Sequence, residues 1–302
     1  MTYRIVALDG GGIRGLTTTV LLERVAALRP NSLQRVDLWA GTSIGGVLAL
    51  ALAAEVTPTA MRQAFLERGA KLLLDSARLP GMATKAHYDN LNLQRFMREL
   101  FGDLTLGDLP GNVLVTAFNL DTGMTNPDRM RRARLKVFHN FPGPTGDRDV
   151  PVVDVAMATS AYPVFFPIYK GHVDGGVAAV NPSLCALAQA LDAGTGKQRL
   201  EDVVLLSVST GHGPNYIEVL DDGDWGWEQW SVDYRILGAT MSTDGPLVDY
   251  QSARLLGQRY HRVDPQFDEP IRFNDVFAIP KLLRTAMQVD LSATAEWLAQ
   301  HF

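Results

Sequence analysis

The sequence predicts an α/β fold in three layers, with a largely parallel central sheet enclosed by helices on both faces. Three observations point to it. Short apolar runs of strand length alternate along the chain with segments of helical period, the pattern of a sheet covered on both sides. Two junctions between such a run and the helical pattern that follows are rich in glycine. The chain is also long enough, at 302 residues with 46% hydrophobic side chains, to bury a large core.

The strand-like runs cover residues 3–8, 35–40, 112–120, 134–139 and 202–209. Helical patterns cover 18–28, 45–54, 58–71, 93–101, 152–159, 183–191, 231–241, 246–257 and 281–301. No internal repeat or low-complexity tract interrupts them. The Pro/Gly-rich stretch "NFPGPTGDRDVP", residues 140–151, is the best linker candidate and is read as a surface loop, so residues 1–302 are expected to form a single domain.

Composition excludes several classes. A net charge of −5 argues against nucleic acid as a partner and against general attraction to anionic membranes. A lone cysteine, Cys185, rules out an internal disulfide framework and a cysteine-built zinc site; its apolar helical setting reads as core. The first apolar run is too short for a secretory signal, and the longest, "VLALALAA", falls well below the roughly 20 residues that span a bilayer.

The first glycine junction is "IVALDGGGIRGL", Ile5 to Leu16. Glycines between a strand and a helix let backbone N–H groups approach a bound anion closely. Gly10, Gly12 and Gly15 satisfy the dinucleotide pattern G-x-G-x-x-G, and Asp37 lies about where a ribose-binding acid is expected, so a nucleotide-binding oxidoreductase is one reading. The second junction argues against it. In "LWAGTSIGGVLALAL", Gly41-Thr42-Ser43-Ile44-Gly45 is G-x-S-x-G between a strand and an apolar helix, the setting of a nucleophile elbow.

A serine hydroxyl needs a base to take its proton. None of the six histidines, His87, His139, His172, His212, His261 and His301, stands in a context that marks such a base. Asp174, ahead of Gly175-Gly176, is either a turn former or a partly desolvated carboxylate basic enough to accept the Ser43 proton. His172 shares strand parity with Asp174, which would place both on one face.

Taken together and in order, Asp9-Gly-Gly-Gly-Ile-Arg-Gly15, Gly41-Thr-Ser-Ile-Gly45 and "ATSAYPVFFP" leading into Asp174-Gly-Gly176 resemble the patatin-like phospholipases. The resemblance runs from about Ile5 to Pro182. It implies a lipid acyl hydrolase of phospholipase A or lysophospholipase type, working through an acyl-serine with a Ser–Asp dyad and no cofactor or metal. Ser43 matches the nucleophile and Asp174 the base. Gly10, Gly11 and Gly12, with the Ile44 amide, match the oxyanion hole, and Arg14 matches the basic position behind the glycines, as substrate or oxyanion support. The implied substrates are membrane lipids or lysolipids; the short apolar runs noted above give the expected location, the cytoplasm, peripheral at membranes. Some family members are switched on by a small nucleotide or a protein factor, but no sensor is identifiable here. A non-catalytic lipid-binding member of the fold is the other alternative.

Lesser signals remain. Val180 stands where the family often continues to a paired asparagine before Asn181. "SVSTGHG", with His212 between glycines, reads as a strand-end turn. "DRMRRARLK", residues 128–136, reads as a charged edge or an anion patch, and Trp225, Trp227 and Trp230 as interfacial anchors or packing groups.

Overall fold

The computed structural model describes residues 2–78, 84–123, 130–143, 146–219, 222–232 and 235–302. Among them, seven strands form one mixed sheet: β1 (Tyr3–Leu8), β2 (Leu38–Thr42), β3 (Val113–Asn119), β4 (Arg134–His139), β5 (His172–Asp174), β6 (Val203–Val208) and β7 (Tyr260–Val263). Their order is β4-β3-β2-β1-β6-β7, with β5 also paired to β3. β1, β2, β3, β6 and β7 run parallel to their neighbours in this order, while β4 and β5 are antiparallel to β3.

Side-chain alternation divides the core in two. Val6 and Leu8 of β1, Trp39 of β2, Val113 and Val115 of β3 and Leu206 of β6 enter one apolar cluster. Ile5, Ala7, Leu38, Ala40, Leu114 and Leu205 enter the other. Residues of opposite parity on a strand face opposite sides of its sheet, so both faces are buried.

Helices α1 (Gly15–Leu28), α2 (Ile44–Ala53), α5 (Leu91–Phe101), α6 (Val152–Thr159) and α11 (Ser292–His301) supply the first face. Between α2 and α5 lie the short helices α3 (Pro58–Ala64) and α4 (Ala70–Leu74). The second face is covered by α7 (Ser183–Leu191), with α8 (Trp227–Ser231) leading into α9 (Arg235–Leu256), whose Leu256 joins that cluster. Helix α10 (Ile279–Gln288) packs outside α1 through Leu282 and Ala286, against Leu16 and Val20. From Gly45 to Ala53 every residue of α2 is buried, as a helix apolar on all sides must be. No helix among the described residues is long and apolar enough to cross a membrane.

Several boundaries differ from the sequence pattern. β2 begins at Leu38 because residues 33–35 take a 3-10 turn, and it runs on to Thr42, immediately before the elbow serine. The pattern at 58–71 is divided by a π turn at Phe65–Gly69, where Phe65 faces two apolar clusters. Patterns at 231–241 and 246–257 merge into α9 despite Pro246, while 281–301 divides into α10 and α11. β5 and β7 are too short for a periodic signal; tertiary pairing creates them.

Candidate active site

The site stands at the carboxyl ends of β1 and β2. Their register sets Leu8 opposite Gly41, so the glycine loop after β1 leaves the sheet beside the elbow after β2. Ser43 adopts φ 55° and ψ −127°, a backbone region costing a side chain about 1–3 kcal/mol. The turn closes only because its flanking residues lack Cβ. A Cβ on Gly41 would stand 2.1 Å from the Gly45 carbonyl oxygen, and one on Gly45 would stand 2.2 Å from that of Leu8.

Polar contacts hold the elbow. The Ser43 N–H donates to Thr159 Oγ1 at 2.7 Å, and that hydroxyl donates to the Thr116 carbonyl at 2.7 Å. The Thr42 hydroxyl donates to the Ala179 carbonyl at 2.7 Å and lies 2.6 Å from that of Thr116. Sequence reasoning gave no role to these threonines. Thr42 and Thr159 fell inside motifs and Thr116 in none, and nothing in their spacing pointed to these contacts.

The carboxylate arrives on β5. β2 pairs with β3 as far as Thr42 opposite Thr116, and β5 takes over with Asp174 opposite Ala117, the next residue of β3. Because β4 occupies the other edge of β3, β5 continues the edge that β2 vacates. Ser43 Oγ donates to Asp174 Oδ2 at 2.6 Å, and the Gly176 N–H donates to Asp174 Oδ1 at 2.7 Å. Asp174 is 1% exposed, and burial pushes its carboxyl up to about 7 against the opposing pull of those two hydrogen bonds.

Of the four amides named from the sequence, one is occupied: the Gly10 N–H donates to the Val180 carbonyl at 3.0 Å. Val180 therefore bonds the loop through its backbone, whatever its side chain. Gly11 and Gly12 are half-buried, and their N–H groups have no acceptor among the described residues. The Ile44 N–H begins α2, where no intrahelical acceptor exists. Arg14 spends its guanidinium on backbone: Nε donates to the Gly11 carbonyl at 3.3 Å and Nη1 to that of Gly211 at 3.2 Å.

Asp9 anchors the loop from below, in a buried ion pair with Arg262 of β7 at 2.7 Å. Burial raises the Asp9 carboxyl to about 6, opposed by the guanidinium. An aromatic wall borders the loop. Tyr162, Phe165 and Phe273 pack in tilted and edge-to-face contacts with ring centres 4.5–5.3 Å apart, and the Phe273 carbonyl accepts from the Ile13 N–H. Phe273 lies outside every motif read from the sequence, and no sequence signal marked it.

The remaining candidates fall outside this constellation. His172 turns its ring to Phe138, and its Nδ1 lies 2.8 Å from the Lys170 carbonyl. His212 pairs with Asp264 at 3.2 Å. Asp37 accepts the Arg4 N–H at the opposite end of β1, ahead of β2, so it cannot serve a nucleotide held at the glycine loop. That position removes the dinucleotide alternative. Arg131 pairs with Asp121 beside the edge strand β4, while Asp128 and Arg129 lie outside the described residues. Trp225 packs on Trp230, and Trp227 is exposed.

The chain is similar to known proteins. Residues 6–187 match the family model described as patatin-like phospholipase. A cGAMP-activated phospholipase from Pseudomonas aeruginosa is 34% identical over 291 residues, covering 93% of this chain and 83% of that protein. The 85/88 kDa calcium-independent phospholipase A2 of Mus musculus is 25% identical over 305 residues, 90% of this chain but 36% of the mouse protein.

Proposed function

The chain belongs to the patatin-like phospholipase family, and on that premise we propose that it hydrolyses acyl esters of phospholipids or lysolipids with Ser43 as nucleophile and Asp174 as base. The observation that carries the assignment is the 2.6 Å hydrogen bond from Ser43 Oγ to a buried carboxylate with raised basicity.

The cycle follows from that contact. Asp174 takes the hydroxyl proton as Ser43 Oγ attacks the acyl carbonyl, and the N–H groups of Gly11, Gly12 and Ile44 receive the oxyanion. The intermediate collapses, its ester C–O bond breaks, and Asp174 returns the proton to the leaving alcohol. Water then gives a proton to Asp174 and attacks the acyl-serine, and a second collapse releases the fatty acid and restores Ser43. Tyr162, Phe165 and Phe273 offer the acyl chain an apolar wall beside the glycine loop. One sheet draws strands from Tyr3 to Val263, which supports reading residues 1–302 as one domain of this type, acting at the membrane surface where its substrates lie.

The test is hydrolysis of a headgroup panel of phospholipid and lysolipid vesicles by the purified chain, with Ser43→Ala as blank and with or without cGAMP, the activator named for the Pseudomonas relative. Fatty-acid release lost in the variant, together with fluorophosphonate labelling at Ser43, is expected. Release that survives in Ser43→Ala, or a wild-type chain that neither labels nor hydrolyses, would overturn the reading; the second result would favour a non-catalytic lipid binder.

A further inference from the structure

The glycine loop is held from behind by its carbonyls. The Thr210 hydroxyl donates to the Gly10 carbonyl at 3.0 Å. The Gly11 carbonyl accepts from the Arg14 N–H at 3.2 Å and from Arg14 Nε at 3.3 Å. In a planar trans peptide the C=O and the N–H of one unit point in opposite directions. Turning the Gly10 carbonyl towards Thr210 therefore aims the Gly11 N–H the other way, and turning the Gly11 carbonyl towards Arg14 does the same for the Gly12 N–H. These are the two loop amides without an acceptor among the described residues.

Thr210 is itself rigidly placed. It is 2% exposed and follows β6 in the segment Ser209–Gly211 of the "SVSTGHG" stretch. The Ser209 N–H donates to the Val263 carbonyl at 2.9 Å, the Gly211 N–H to Ser209 Oγ at 2.9 Å, and Arg14 Nη1 to the Gly211 carbonyl. Gly11 lacks a side chain where Thr210 needs the space, since a Cβ there would stand 2.2 Å from Thr210 Oγ1. Arg14 thus ties the loop to the same segment that carries the threonine.

We propose that Thr210 is a positioning residue for the oxyanion donors: its hydroxyl locks the Gly10–Gly11 peptide so that the Gly11 N–H is aimed at the developing charge before substrate arrives. The proposal rests on Ser43 being the nucleophile. Donors gain their catalytic value from being oriented in advance, so a loop free to rotate about this peptide loses turnover without losing ground-state binding.

The experiment uses the full chain and a soluble p-nitrophenyl ester. Thr210→Val keeps the volume and removes the donor. It is expected to lower kcat by about 10–100-fold, short of the loss from deleting a donor outright, with KM within about twofold. Affinity for a trifluoromethyl ketone, which becomes an oxyanion on the enzyme, is expected to fall by the same factor, and Thr210→Ser to restore both. If Thr210→Val does not fold, Thr210→Ala removes the same hydroxyl without placing a second methyl group against the Gly10 carbonyl, and is judged by the same criteria. An unchanged kcat, a loss confined to KM, ketone affinity that does not follow kcat, or a serine variant that folds without rescue would overturn the proposal. If wild-type protein neither labels with fluorophosphonate nor hydrolyses the ester, it is the Ser43 assignment that fails; labelling and turnover intact in wild-type and in Thr210→Val sink the positioning role alone.

Discussion

Thr42 and Asp174 face consecutive residues on one edge of β3, Thr42 opposite Thr116 on a parallel strand and Asp174 opposite Ala117 on an antiparallel one. The edge changes hands at the point where β2 leaves for the elbow, and this handover brings Ser43 within 2.6 Å of a carboxylate 131 residues away. The contact on which the proposed dyad rests is thus a consequence of sheet register, and the behaviour of Asp174 follows from its burial there.

In the proposed dyad the ionised carboxylate is the form that accepts the Ser43 proton. With the Asp174 carboxyl raised to about 7, kcat/KM is expected to rise along one ionisation centred near pH 7, to level off above it and to fall tenfold per pH unit on the acid side. A soluble ester assayed from pH 5 to 9 reads this directly. A flat profile down to pH 5 would mean that another group takes the proton.

The same shift predicts a stability change of the opposite sense to the activity loss. Folded Asp174 holds its proton up to about pH 7, whereas the unfolded carboxyl releases it near 3.8, so native stability declines as pH rises through that window. Asp174→Asn removes the cost of ionising the buried group. It is expected to be inactive yet more stable than wild type by about 1–3 kcal/mol at pH 8, with little or no gain at pH 4. Urea unfolding at the two pH values checks the sign.

Arg262 and Asp9 are buried together, with side chains 11% and 5% exposed. Arg262→Met leaves the Asp9 carboxylate without its partner and is expected to cost about 3–5 kcal/mol at pH 8. Without the guanidinium the folded Asp9 carboxyl rises beyond about 6, so the cost shrinks as pH falls and the group takes up a proton. Asp9→Asn combined with Arg262→Met is expected to recover part of the loss. Chemical denaturation of the two variants beside wild type tests this.

His172 shares strand parity with Asp174, but its ring lies against Phe138 and its Nδ1 beside the Lys170 carbonyl. His172→Gln is expected to keep turnover within about threefold of wild type, far from the loss of about 100-fold or more that follows removal of a general base. A loss of that size with circular dichroism unchanged would restore a histidine to the mechanism.

By itself the sequence determined the alternation of strands and helices and the two glycine turns, and it singled out Ser43 and Asp174 as a candidate pair, because each depends on local features: hydrophobic period, residues without Cβ, and short ordered motifs. Only the tertiary structure decided which amides remain free. The Gly10 N–H is taken by Val180, the Gly10 carbonyl by Thr210, and the aspartate before the loop by Arg262, all partners at least 170 residues distant in the chain. β5 and β7, three and four residues long, carry too few side chains for a period to show. Their place comes from edges left open by longer strands, a property of the assembled sheet that no segment contains alone.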